Sequence, residues 1–347
     1  MSIGARTATS AAIAVMDSTV QHSAAQHNTL ARLSSATEPY LARVAQRFDE
    51  ELRSDLACVG ALVKHVGRFR GKMLRPMLVM LAGRAVGGEV GEVHVTLATV
   101  VEMVHMATLV HDDVLDEAEL RRRGATINHL KGNEAAVLLG DYLISHSYHL
   151  CSSLEDQFAA RAIAATTNRV CEGELLQLEN RGNVELSEAT YITIIARKTA
   201  SLIATSAMLG AHYAGATRAV ADKLERFGEA IGIAFQIQDD ILDLVGDQRE
   251  VGKSLGSDVA KTKLTLPLIH FLRTAPQDHR VLLRQLLKAG DAEQVRHLIA
   301  PSGSIDFARG EAKRYVREAI ACLDELPETE AKRALIEAAS FVVARSL

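Results

Sequence analysis

From about Thr37 onward, apolar residues recur every three or four positions, the spacing of one face of an α-helix. Nothing alternates with the period of two that a half-buried strand would need. Only six prolines interrupt the chain, so long helices can run unbroken. Gly, Asn, Asp and Ser cluster at Val86–Glu92, Arg122–Gly124, Lys131–Asn133, Arg181–Val184, Gly246–Asp258 and Pro301–Ser304, which divides the chain into roughly ten helices with short connections. The pattern predicts an all-α protein. Residues 37–347 contain no low-complexity linker and read as one helical domain. The Ala-, Ser- and Thr-rich residues 1–36, with Arg6 and the short apolar run Ala11–Met16, imitate a targeting segment weakly and read as a flexible tail.

Composition narrows the class. With 48% hydrophobic and 24% charged residues, the 347-residue chain has a globular make-up. Its longest apolar stretch, Leu97–Val110, contains Glu102 and His105 and falls short of the ~18 apolar residues of a membrane span. A net charge of −4 creates no basic field for nucleic acid or an anionic bilayer, so any anionic ligand has to be captured locally. Cys58, Cys151, Cys171 and Cys322 are scattered without CxxC spacing, as expected of free thiols in a reducing cytoplasm.

Two segments, LVHDDVLDEAE and FQIQDDILDLVGD, set the same acidic triplet in an apolar frame. Asp112 and Asp116 are four apart and share a helix face, with Asp113 beside them; Asp239, Asp240 and Asp243 repeat the arrangement. Like charges at this spacing oppose helix formation, and an apolar frame makes unpaired carboxylates costly. Divalent cations would resolve both conflicts. All-oxygen ligation is what Mg²⁺ prefers, and Mg²⁺ commonly completes its octahedron with water and substrate phosphates. Two carboxylate walls with metal between them form a diphosphate receptor. His111 points about 100° away from the Asp112/Asp116 line and reads as a packing residue, whereas His105 shares that face two turns down.

A diphosphate also needs protein cations. Lys72 and Arg75 sit in Gly71-Lys72-Met73-Leu74-Arg75-Pro76, just ahead of an apolar helical run. Arg121-Arg122-Arg123 follows the first acidic cluster, and Arg197-Lys198-Thr199 lies within the apolar helix Tyr191 to Leu209, where a buried Lys needs an anionic partner. Lys253 occupies a Gly-rich turn, residues 251–258, after the second cluster; the turn lacks the Walker spacing.

Together these residues resemble the trans-isoprenyl diphosphate synthase family, the polyprenyl synthetases, from about Thr37 to the C-terminus. GKMLRP is similar to the family's Gly-Lys-x-x-Arg-Pro element, LVHDDVLDEAELRRRG to its first aspartate-rich motif, and FQIQDDILD with GKSLGSD and KLTLPL to its second motif and lid. The resemblance implies a single-domain antiparallel helical bundle of isoprenoid synthase type around a deep central cavity, usually a homodimer. By position, Lys72, Arg75, His105 and Arg122 would bind isopentenyl diphosphate, while Arg121, Lys198, Thr199, Gln236, Lys253 and Lys263 would hold an allylic prenyl diphosphate. Asp112, Asp116, Asp239 and Asp243 are the expected ligands of about three Mg²⁺ ions bridging the allylic diphosphate, with Asp113 and Asp240 supporting. Gln236 shares a helix face with the second cluster, and neither motif lacks an aspartate.

The expected chemistry is ionisation of the allylic C–O bond, attack by the double bond of isopentenyl diphosphate, and loss of a proton to the departed diphosphate. No side-chain nucleophile is needed, in line with the lack of a Ser/His/Asp or Cys/His arrangement. Below Asp112 come Thr108, Ala107, Val104 and Met103, none aromatic. In the family an aromatic near Ala107 resembles the floor of short-chain enzymes, so a medium- to long-chain, octaprenyl-like product is expected. A short-chain farnesyl or geranylgeranyl diphosphate synthase, a non-catalytic subunit of a heteromeric synthase and a terpene cyclase are the alternatives. The last is disfavoured by the intact DDILD.

Overall fold

A computed structural model describes residues 37–122, 124–246 and 256–344. The tail over 1–36 lies outside the described residues. The chain is all-α, as the periodicity predicts. Helix α1 spans 37–51, followed by α2 (Ala57–Gly67), α3 (Leu74–Ala85), α4 (Glu92–Leu115), α5 (Ile127–Lys131), α6 (Asn133–Ser152) and α7 (Phe158–Glu179). Helix α8 (Glu188–Ile195) runs through a π turn, Ala196–Ala200, into α9 (Ser201–Tyr213), and α10 (Arg218–Val245) follows. The remainder is more finely divided than the sequence pattern suggests, with helices at Leu266–Thr274, Gln277–Ala289, Ala292–Ile299, Ser304–Ala321 and Glu330–Ala344.

Local signals set the helix starts. The hydroxyls of Ser187, Thr217 and Thr126 accept the backbone N–H groups of Thr190, Val220 and His129 at the first turns of α8, α10 and α5. Pro267 opens the helix Leu266–Thr274, where its missing N–H costs nothing. One strand pair was not anticipated: Leu120–Arg121 pairs antiparallel with Gly124–Ala125, closed by Arg122 in the left-handed region at φ 48°. It is too short to show any period-two signal.

Glu92–Leu115 and the continuous stretch Glu188–Tyr213 are long and apolar enough to cross a bilayer by composition alone, yet neighbouring helices cover most of each. They are the central helices of the bundle. Around them packs a main core from α3, α4, α9, α10 and Glu330–Ala344, and a second from α8, α10 and the helices after Leu264. A third joins α1, α2, α4 and α6.

Glycines let the central helices approach closely. A Cβ at Gly228 or Gly232 on α10 would lie 2.6 Å from the Cα of Ala204 or Ala200 on the neighbouring helix. That proximity places the second acidic cluster beside the π turn. Gly232→Ala is therefore expected to destabilise the fold by about 1–3 kcal/mol through overpacking against backbone. Denaturant unfolding checks this, and an unchanged midpoint would show slack between the two helices.

Candidate active site

The first acidic cluster ends α4. Asp113 is buried and takes Arg121 in a bidentate pair, Nε at 2.9 and 3.0 Å and Nη2 at 2.7 Å. Asn128 secures the same turn by donating to the carbonyls of Asp113 and Ala118 at 3.2 and 3.0 Å. Asp113 thus holds Arg121 in place and is turned from its two companions. Burial pushes the Asp112 carboxyl up; Lys198, with Nζ at 3.7 Å, pulls it down, and nearby Glu174 and Asp116 push it up further. Lys198 also pairs with Glu174 on α7. Asp116, capping α4, meets Lys261 Nζ at 3.1 Å.

The second cluster lies in the last turns of α10. Asp240 is buried and accepts the Tyr191 hydroxyl at 2.7 Å and Gln236 Nε2 at 2.8 Å, with Lys263 Nζ at 3.8 Å. Burial raises its carboxyl to about 6 against the pull of Lys263. Asp243 accepts the Asp258 N–H at 3.0 Å and is also raised, by burial first and the Asp258 charge second. Asp239 is half-buried on the same helix. Lys263 is held further up in its charged form by Asp240 and Asp258, against the cost of burial.

Two short links draw these walls together. Lys198 faces Asp112 of the first cluster, while the adjacent Thr199 donates its hydroxyl at 3.0 Å to Oε1 of Gln236, whose amide bonds Asp240 of the second. Lys261 reaches Asp116 while Lys263, two residues on, reaches Asp240. Lys198 and Thr199 fall in the π turn, whose extra residue aims successive side chains at different neighbours. Gly173 on α7 makes room, since a Cβ there would lie 2.6 Å from the backbone nitrogen of Lys198.

Beside the first wall is a cluster of cationic residues. Burial lowers Arg75 to about 10, with the Glu102 charge opposing, and Arg75 Nε is buried without a hydrogen-bond partner. His105 is pushed well below its ordinary value, by burial and then by Arg75, Arg122 and Arg121, so it is neutral near pH 7. Arg122 donates to the Phe69 carbonyl beside Gly71. Glu102, itself buried and raised by burial, is the counter-charge that Arg75, Arg122 and Arg70 pull down. Met73, left-handed at φ 50°, turns the chain from exposed Lys72 into α3. The arrangement suits a second phosphate group.

His111 bonds the Val137 carbonyl at 3.1 Å and lies against Gly140, consistent with a packing role. Met103 and Ala107 are fully buried in the cluster shared with α1, α2 and α6, and Val104 is in the main core. Thr108 is half-buried, its hydroxyl donating to the His105 carbonyl at 2.8 Å. Lys253 lies outside the described residues.

Sequence reasoning missed Lys261, Glu174, Asp258 and Tyr191 as participants, and took Glu102 only as an interruption of an apolar stretch. Glu102 precedes His105 by one turn, and that spacing was a usable signal. Magnesium fits the acidic donors: they are all oxygens, and Asp112 carries charge that burial and two neighbouring carboxylates disfavour. Among the described residues no three potential ligands already converge on one point, so water and phosphate oxygens would complete an octahedron.

Comparison with known proteins places this geometry. The polyprenyl synthetase family model matches residues 57–300. An octaprenyl diphosphate synthase of Haemophilus influenzae is 36% identical over 318 residues, covering 90% of this chain and 96% of that protein. Among solved structures, a decaprenyl diphosphate synthase from Rhodobacter capsulatus superposes with a TM-score of 0.86 at 34% identity, covering 91% of this chain and 99% of that one. A Caulobacter crescentus polyprenyl synthase, solved with calcium and isoprenyl diphosphate, gives 0.86 at 33% identity over 91% of this chain and 98% of its own. A matched family model over most of the chain, relatives along nearly its full length and the shared all-α fold establish that this protein belongs to the polyprenyl synthetase family.

Proposed function

We propose that the chain is an all-trans polyprenyl diphosphate synthase, condensing isopentenyl diphosphate with an allylic diphosphate such as farnesyl or geranylgeranyl diphosphate to give a medium- to long-chain, octaprenyl-like product. The observation that carries this reading is the pair Lys198 and Thr199, adjacent residues of which one meets Asp112 of the first wall and the other meets Gln236, itself bonded to Asp240 of the second, so that one diphosphate can be gripped from both sides.

On this reading Lys198, Thr199, Gln236, Lys263 and Arg121 hold the allylic diphosphate, joined by Lys253, and Lys261 is added to that set. Lys72, Arg75, neutral His105 and Arg122 take the diphosphate of isopentenyl diphosphate. Asp112, Asp116, Asp239 and Asp243 would ligate about three Mg²⁺ ions, which would neutralise charge on the departing diphosphate. The cations already fixed by Asp113, Glu174 and Asp258 need little reorganisation as that charge develops. The double bond then attacks the allylic carbon, and the departed diphosphate, kept by the same residues, accepts the proton. The apolar cores around α4 and α10 exclude water that would trap the cation.

Incubation of purified protein with farnesyl diphosphate, labelled isopentenyl diphosphate and Mg²⁺ tests this. Elongated all-trans products are expected. A cyclised hydrocarbon, or no incorporation without a second subunit, would overturn it.

A homodimer is supported by Leu138 on α6 and Leu175 on α7, which are 67% and 65% exposed on neighbouring helices. Leu138→Glu is expected to shift light scattering from twice the chain mass toward one; a wild-type monomer would contradict this. A cytoplasmic location fits the four unpaired cysteines.

A further inference from the structure

Asp240 accepts a side-chain donor on each of its carboxylate oxygens, one of them from another helix. Tyr191 and Gln236 each donate to one of its two oxygens, and Lys263 stands 3.8 Å from Oδ1. Tyr191 belongs to a different helix, α8, and is 2% exposed. Its ring packs in the apolar core formed with Leu186, Ile194 and Ile195. That packing would be equally well served by Phe, so the hydroxyl is there for Asp240.

We infer that Tyr191 is a positioning residue for the allylic diphosphate site. By tying Asp240 to α8 it fixes the rotation of the last turns of α10, and so the aim of Asp239 and Asp243, which share a face four residues apart. The same carboxylate keeps Lys263 at the site, and Lys263 in turn pairs with Asp258 at 3.3 Å. Asp258 closes the circuit by donating its N–H to Asp243. Tyr191 therefore anchors a chain of contacts that links α8, α10 and the segment 256–263. Asp240 is left as the hub of that chain, with one acceptor site on each oxygen committed to a donor within the protein.

The inference rests on the function proposed above, and its test is chosen to separate the two. Tyr191→Phe is expected to raise KM for the allylic diphosphate about tenfold, the effect of losing one hydrogen bond to a charged group, while KM for isopentenyl diphosphate stays within about twofold. The Mg²⁺ concentration that gives half-maximal thermal protection by inorganic diphosphate should rise by a similar factor, a readout that needs no turnover. In an Asp240→Asn background, Tyr191→Phe should add less than about twofold, because the two act as one unit. Asp240→Asn alone should show the same split between substrates, and it serves if Tyr191→Phe does not fold. Equal changes in both KM values, an unchanged Mg²⁺ requirement, or multiplicative effects in the double variant would overturn the inference. A wild-type protein that elongates nothing would refute the proposed function, yet the Mg²⁺–diphosphate protection would still decide the role of Tyr191.

Discussion

Asp112→Asn should cut turnover by about three orders of magnitude, the scale expected when one preorganised charge-stabilising group is lost at a reacting centre, without lowering the melting temperature. The two halves share a cause. Burial, with Glu174 and Asp116 close by, raises the Asp112 carboxyl, so its ionised form is disfavoured in the folded protein. A carboxyl raised on folding contributes stability only at low pH, and that contribution is lost as pH rises through the folded value. At neutral pH a neutral isostere therefore gives up little and relieves repulsion. Asp113→Asn should behave in the opposite sense, because it breaks the bidentate hold on Arg121 and leaves a partly buried guanidinium short of its partner. Steady-state rates and thermal melts of the two variants check the contrast. Near-normal turnover by Asp112→Asn would remove the first cluster from the chemistry.

Ala107→Phe should shorten the product by several isoprene units. The helix below Asp112 offers Thr108, Ala107, Val104 and Met103, and Ala107 is the smallest of these side chains. Because Ala107 has no exposed surface and belongs to the cluster with Phe48, Leu139 and Leu143, the larger ring must displace neighbours and, on the proposed function, narrow the path of the growing chain. Displacement would cost about 1–3 kcal/mol. Mass analysis of products, alongside a thermal melt, separates the outcomes. A folded variant with the wild-type product distribution would place the floor elsewhere.

The helices were legible because their apolar positions repeat over many turns, and both acidic clusters because charge inside an apolar frame is costly enough to demand an explanation. Breaks at Gly-rich turns were equally plain. Lys261 and Glu174 were not, since Lys261 acts on Asp116 and Glu174 on Lys198, each in another segment of the chain, and neither interrupts its local pattern. Tyr191 was hidden for a related reason: an aromatic at a helical core position looks the same whether or not its hydroxyl has work to do. The π turn at Ala196–Ala200 left no trace because one inserted residue shifts a helical face without ending the helix. The pair Leu120–Arg121 and Gly124–Ala125 is shorter than any period that could announce it.

The account stands on the two acidic walls acting on a single diphosphate. Calorimetric binding of a non-ionisable allylic thiolodiphosphate to the full-length protein, with and without Mg²⁺, tests this most directly. Binding should require Mg²⁺ and weaken by a similar factor in Asp112→Asn and Asp239→Asn, one from each wall. Undiminished Mg²⁺-dependent binding in either variant would contradict the account.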